Sequence, residues 1–312
     1  MKRLVFAVGD PAGVGPRVSI DAARAMVARA EVTLVGCGAQ LGAMAPELDV
    51  LDVGDVALAT VDSHRASVEG GRAQLAALDR AIDEVIAGRA DAIVTGPVSK
   101  AAITSTGARF VGQTEHLAQR AGLRDDEVTM MFLGPKLKVA LVTTHLAVRD
   151  LPHAISERRI VRATRHLGEA LMRLGALRGA RVVVTGLNPH AGEDGLFGDE
   201  EPRTITPAIT RARAEAPFAD HALVLEGPTP AEAAFRFAAD ARVAGVVAMF
   251  HDQATIASKL LDWGHAVNVT WGLPFVRTSV DHGVGYDAAR AGTIESSGMI
   301  AAAEMALALI GA

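Results

Sequence analysis

At 312 residues, half of them hydrophobic, the chain can bury a large core and make two lobes or domains. A formal net charge of −5, scattered Lys and Arg, one Tyr and two Trp argue against a nucleic-acid partner. A lone cysteine, Cys37, excludes an internal disulfide and fits a reducing cytosol, and the short apolar start and lack of any run near the ~20 residues of a membrane span lead us to expect a soluble cytoplasmic protein without a membrane partner.

In chain order, strand and helix signals alternate. Arg3–Val8 is an apolar strand followed by the turn-rich Gly9–Pro16 and a helical pattern through Ala30. Glu31–Val35 is the next strand. It opens into Gly36-Cys37-Gly38-Ala39-Gln40, where the third glycine is displaced to Gly42 and no acidic residue closes a βαβ unit, so a plain turn is expected there rather than a dinucleotide fingerprint. Gly71–Ala87 is an amphipathic helix, and Asp91–Thr95 a strand ending in Gly96-Pro97-Val98-Ser99-Lys100. Thr114 begins a helix with Leu117 and Ala118 on its apolar face. Val128–Leu133 and Lys138–Thr143 form a hairpin around Gly134-Pro135. Ser156–Leu174 is a long helix, Arg181–Val184 a strand and Pro202–Ala216 a helix. The strand Ala222–Leu225 is followed by the turn Gly227–Pro230 and a helix through Ala239, Pro suiting a helix start. Val246–Phe250 is a buried strand that ends abruptly in His251-Asp252-Gln253, and Gly292–Ala312 an Ala-rich helix.

This alternation predicts an α/β fold, a largely parallel sheet with helices on both faces. Ligands of such sheets sit beyond the carboxyl ends of the strands. The sequence puts Asp10, Lys100, His145, His190 and His251 there. Three neutral imidazoles with an open position suit a divalent transition metal, so His145, His190 and His251 are read as metal ligands. Asp252 is placed to orient a ligand or take up a proton. The other histidines, such as His64, His153 and His221, are expected at the surface. Lys259 and Arg277, a point charge and a fork, suit a carboxylate or phosphate, and WGLPFVRTSV is too apolar for an ordinary surface loop.

GDPAGVGP (9–16), TGPVSK (95–100), GQTEHLA (112–118), TTHL (143–146), LNPHAGE (187–193), GPTPAEAAF (227–235), FHDQ (250–253) and GLPFVRTSVDHG (272–283) resemble the 4-hydroxythreonine-4-phosphate dehydrogenase family. The resemblance implies a three-layer α/β/α fold of the isocitrate/isopropylmalate dehydrogenase type, two lobes around a largely parallel sheet. It implies a homodimer whose active site, in an interdomain cleft, is completed by the second subunit. Residues 1–128 with 268–312 would be the coenzyme-side lobe and 129–267 the metal-binding, dimer-contact lobe. The family's metal histidines fall on His145, His190 and His251, and its substrate contacts on Gln113, Thr114, Lys259, Asn268 and Arg277. Glu232, His282, Gly283 and Asp287 would face the coenzyme, since Asp281–Gly292 is similar to the coenzyme-side His-Gly loop of the wider β-decarboxylating dehydrogenases.

The implied chemistry is metal-dependent oxidation of a small phosphorylated hydroxy acid by NAD or NADP, followed by decarboxylation, within pyridoxine biosynthesis. Zinc is the expected metal, with magnesium, manganese, cobalt and nickel as alternatives, and Lys100 and Asp252 would move protons. The chain departs from the family pattern at Gln113 (histidine in the motif), Glu232 (Asp), Phe250 (Tyr), Arg17 (Glu) and Ala254 (Gly). These departures bear on the substrate. The alternatives are erythronate or threonate 4-phosphate, an aromatic cis-dihydrodiol carboxylate and, in another class, metal-dependent hydrolysis.

Overall fold

The computed structural model describes residues 1–311. Its strands, in chain order, are β1 (Lys2–Ala7), β2 (Ala30–Gly36), β3 (Asp49–Asp52), β4 (Ala92–Thr95), β5 (Thr129–Leu133), β6 (Lys138–Leu141), β7 (Ala180–Thr185), β8 (Leu223–Thr229), β9 (Gly245–Ala248), β10 (Val267–Trp271) and β11 (Val276–Ser279). The chain divides into two compact units, one of Met1–Asp125 with the chain from Leu273 on, the other Asp126–Gly272. Both are α/β, as the alternation predicted.

In the first unit the strand order is β3-β2-β1-β4-β11, every neighbouring pair parallel. Successive strand residues face opposite sides. Val5, Ala7, Val35 and Ile93 meet Ala77, Leu78, Ala81 and Ile82 of helix Val68–Ile86. Helices Gly15–Met26 and Ser297–Leu309 pack together and against β2, β4 and β11. Ser67 starts helix Val68–Ile86 by accepting from the Gly70 N–H at 2.9 Å.

In the second unit the order is β10-β5-β6-β9-β7-β8, parallel except that β5 runs antiparallel to both β10 and β6. The β5–β6 pair is the hairpin expected around Gly134. Asp262, buried, closes its turn by accepting from the Leu137 N–H at 2.8 Å. Helix Glu157–Arg173 lies on β5, β6 and β9, burying Ile160, Ala163, Leu167, Ala170 and Leu171 at helical spacing. Helices Ala231–Ala239 and His251–Leu261 pack with the cluster of Phe132, Val139, Leu141, Val183 and Val246. Among the described residues no helix is long and apolar enough to cross a membrane.

Several local expectations need correction. β9 ends at Ala248, and His251 opens a helix instead of ending a strand. β8 continues through Thr229, where a turn was expected. The helix expected over Gly292–Ala312 spans Ser297–Leu309, starting five residues later because Gly292 is left-handed (φ 70°) and ends a separate short helix, Tyr286–Ala291; Ala312 lies outside the described residues. β3 had no strand signal, because DVLD supplies only two apolar residues; it completes a β2–helix–β3 unit that the sequence reading denied. Asp52 at its end accepts from the Gly38 N–H at 2.7 Å and so occupies the turn. His166 is not a surface group: it is 3% exposed and bonded through Nδ1 to Thr129 Oγ1 at 2.9 Å.

Candidate active site

In the second unit β6 and β9 are parallel neighbours, with Leu141 opposite Ala248. Their continuations stay paired: the Val142 N–H donates to Ala248 O at 2.9 Å, and Thr143 Oγ1 donates to Met249 O at 2.7 Å. That pairing carries His145 and His251 to one place. Their ring centroids stand 5.3 Å apart, tilted by 44°. Asp252 Oδ1 lies 2.7 Å from His251 Nδ1. A carboxylate on Nδ1 fixes the tautomer and directs Nε2 to a ligand.

The loop after β7 carries His190. Gln253 ties this loop to the β9 end: its Oε1 accepts from the Met249 N–H (2.7 Å) and Thr185 Oγ1 (2.9 Å), and its Nε2 donates to Gly186 O at 3.0 Å. Glu201, 2% exposed, accepts from the N–H groups of both Leu187 and Asn188 at 2.8 Å through Oε1, and from Asn188 Nδ2 at 2.9 Å through Oε2. Beyond that anchor the backbone turns left-handed from His190 to Asp194, with φ between 43° and 83°. Left-handed backbone at residues bearing Cβ is unfavourable and is held by its surroundings. The exposed His190 ring is tilted against Phe197, centroids 6.1 Å apart. Among the described residues, no group of three or more His, Cys, Asp or Glu is arranged to hold a metal ion. One chain thus brings two of the three predicted ligands together.

Lys259 lies in the last turn of helix His251–Leu261, its Nζ 5.9 Å from the Trp263 ring centroid. Asn268 sits on β10 opposite Phe132. Glu232 is exposed in the first turn of helix Ala231–Ala239.

In the first unit Arg277 on β11 is 2% exposed. Its Nε and one Nη donate to Thr95 Oγ1 at 3.1 and 2.8 Å, and that same Nη donates to Gln113 Oε1. Gln113 Nε2 in turn donates to Gly96 O at 2.8 Å. Burial lowers the Arg277 pKa to about 9, against the opposing charge of Glu115, so the guanidinium remains a cation at neutral pH. Gln113 therefore has both ends of its amide engaged, one by Arg277 and the other by the Gly96 carbonyl. Thr114, buried, follows it in the first turn of helix Gln113–Arg120. Lys100 is exposed at the start of helix Lys100–Thr104, which Ser99 caps at 3.1 Å. His282 and Gly283 are exposed, as is Asp287, which pairs with Arg290 at 3.0 Å.

A family model described as "Pyridoxal phosphate biosynthetic protein PdxA" matches residues 7–306. The chain belongs to the PdxA family. It is 38% identical to the 4-hydroxythreonine-4-phosphate dehydrogenase of Burkholderia vietnamiensis, over 98% of this chain and 95% of that one. A Salmonella typhi relative named "Putative D-threonate 4-phosphate dehydrogenase" is 36% identical over 99% of both chains. A crystal structure of the Klebsiella pneumoniae 4-hydroxythreonine-4-phosphate dehydrogenase superposes with a TM-score of 0.82 at 32% identity, covering 99% of each chain. The isocitrate dehydrogenase of Methylococcus capsulatus shares the fold, with a TM-score of 0.53 at 13% identity over 100% of this chain and 86% of that one.

Within this PdxA-family chain, sequence reasoning gave no role to Glu201, Thr95 or Gln253. Gln253 stood inside FHDQ, but Glu201 carried only the weak signal of an acidic pair downstream of LNPHAGE. Each acts on backbone or side chains distant in sequence.

Proposed function

We propose that the protein oxidises the hydroxyl-bearing carbon of a small phosphorylated hydroxy acid with NAD or NADP, assisted by a divalent metal, zinc above the other candidates. The observation that carries this reading is the His145–His251 pair with Asp252 on the outer Nδ1, in a chain that also holds the buried cation Arg277.

The donor set fits a metal in part. Two imidazoles converge, one with a carboxylate behind it, and His190 or a second copy of the chain would complete them. A homodimer accords with the apolar side chains exposed on the histidine-bearing segments: Leu146, Val148, Leu196, Phe197, Ile256, Leu260 and Trp263. For the coenzyme the reading rests on the Asp281–Asp287 segment, whose His282, Gly283 and Asp287 are exposed and free to meet a ligand. A metal held by His145 and His251 would supply Lewis acidity at the substrate hydroxyl, and the nicotinamide coenzyme would supply the hydride acceptor.

The chain's own residues do the rest. Lys259 and Arg277 hold the phosphate or carboxylate, Arg277 with its fork oriented by Thr95 and Gln113. Thr114 and Asn268 position the remainder of the substrate. Asp252 keeps His251 in one tautomer, and Lys100 receives or returns the proton of the hydroxyl. A substrate with a carboxylate β to the new ketone would then lose carbon dioxide. Glu232, His282, Gly283 and Asp287 would face the coenzyme. A cytoplasmic setting fits the single, buried and free Cys37.

A second reading makes the substrate a threonate or erythronate 4-phosphate. It is favoured by Gln113, an uncharged amide already committed to Arg277 and Gly96, and by the Salmonella typhi relative. An NAD-reduction screen over phosphorylated and plain hydroxy acids, with and without zinc, magnesium or manganese, tests both readings. We expect metal-dependent turnover confined to phosphorylated substrates. Hydrolysis without NADH binding would overturn the oxidoreductase reading.

A further inference from the structure

Beyond the carboxyl ends of β1, β4 and β11 lies a buried polar cluster to which no role has been assigned above. Asp10 is 0% exposed. Its Oδ1 accepts from the Ala12 N–H at 3.0 Å, and its Oδ2 accepts from Gln74 Nε2 at 2.8 Å and from the Tyr286 hydroxyl at 2.7 Å. A carboxylate taken out of water requires donors of this kind. Gln74, also 0% exposed, accepts from the Ser99 N–H at 2.7 Å and donates to Gly70 O at 3.0 Å, so its amide has one orientation. Tyr286 is the chain's only tyrosine. Burial first, and then the bond to Asp10, raise its pKa, so at neutral pH the phenol donates.

Tyr286 ends the segment that carries His282 and Gly283. That segment lies against the Asp10–Val14 turn: the Val14 N–H donates to Val284 O at 2.9 Å, and a Cβ on Gly13 would come within 2.3 Å of Val284. Gly285 turns left-handed at φ 64° to deliver the ring. The phenol is thus a second, inward anchor of a segment whose outer residues are exposed.

We infer that Tyr286 is a positioning residue for this segment: its hydrogen bond to Asp10 sets where His282 and Gly283 stand and thereby the affinity for the nicotinamide coenzyme. The inference rests on the reading above that this segment takes the coenzyme. Tyr286→Phe removes the donor and keeps the ring. Equilibrium titration with NADH by fluorescence, together with KM and kcat, tests it. We expect the NADH Kd and the KM for NAD to rise about tenfold, the lower end for losing a hydrogen bond to a carboxylate, with kcat at saturating NAD within about twofold. Leu171→Ala, a core truncation in the other unit, should lower stability and leave the NADH Kd unchanged. If Tyr286→Phe binds NADH as tightly as wild type while His282→Ala binds it more weakly, the inference fails and the coenzyme reading stands. Wild-type protein that binds no NADH, or His282→Ala that binds it undiminished, would overturn the coenzyme reading itself.

Discussion

His145 and His251 stand with ring centroids 5.3 Å apart because Thr143, two residues before the first, hydrogen-bonds Met249, two residues before the second. The pair is therefore a product of strand adjacency, and its outermost partner, Asp252, can be removed without disturbing it. Asp252→Ala should weaken zinc binding about 10–100-fold, the range for a carboxylate behind a metal histidine. Its side chain is 71% exposed, so thermal stability should hardly change. Competition with a chromogenic chelator measures the first quantity and thermal unfolding the second.

Glu201 is expected to be structural for the His190 loop. Glu201→Ala strips the Leu187 and Asn188 amides of a buried charged acceptor. Urea unfolding should show a loss of about 2–3 kcal/mol. Zinc affinity in the folded variant should fall with it, whereas Glu201→Gln, which keeps one acceptor oxygen, should lie between.

For the anion site, Arg277→Lys should raise KM for a phosphorylated substrate about 10–100-fold, since an ammonium cannot reproduce the fork that engages Thr95 and Gln113. Gln113→Leu should raise KM less, because it removes an orienting partner and leaves the cation in place. Equal effects of the two substitutions would contradict the division of roles.

Acid should destabilise the protein through His166. Burial, then the charges of Arg165 and Arg162, lower its pKa to about 3, against about 6.5 in an unfolded chain. Between those values the unfolded chain holds a proton that the folded chain refuses. Stability is then full above about pH 6.5 and declines as pH falls toward 3, by at most about 1.4 kcal/mol per pH unit from this group. Urea titrations at pH 7.5, 6 and 5 should show this slope, and it should flatten in His166→Asn, whose side chain does not titrate.

Much of this was legible locally. Apolar strands ending in polar clusters placed His145, His190 and His251 beyond β6, β7 and β9, because a buried strand must end where its chain meets water. The anchors were not legible. Glu201 bonds amides 13 and 14 residues earlier and Gln253 bonds Gly186, 67 residues earlier, and periodicity carries no trace of such a contact. His166 did leave a signal: it falls at helical spacing between the buried Ala163 and Ala170. β3 left almost none, as DVLD is held mainly by its pairing with β2.

One inverted strand, β5, lets β6, β9, β7 and β8 all run in the same direction. His145, His190 and His251 consequently sprout from a shared edge, on two loops and the first turn of a helix. Sequence changes in the stretch 191–197, past the Gln253 and Glu201 bonds to Gly186, Leu187 and Asn188, leave the ladder intact, so the surroundings of His190 are open to mutation while the scaffold stays as it is.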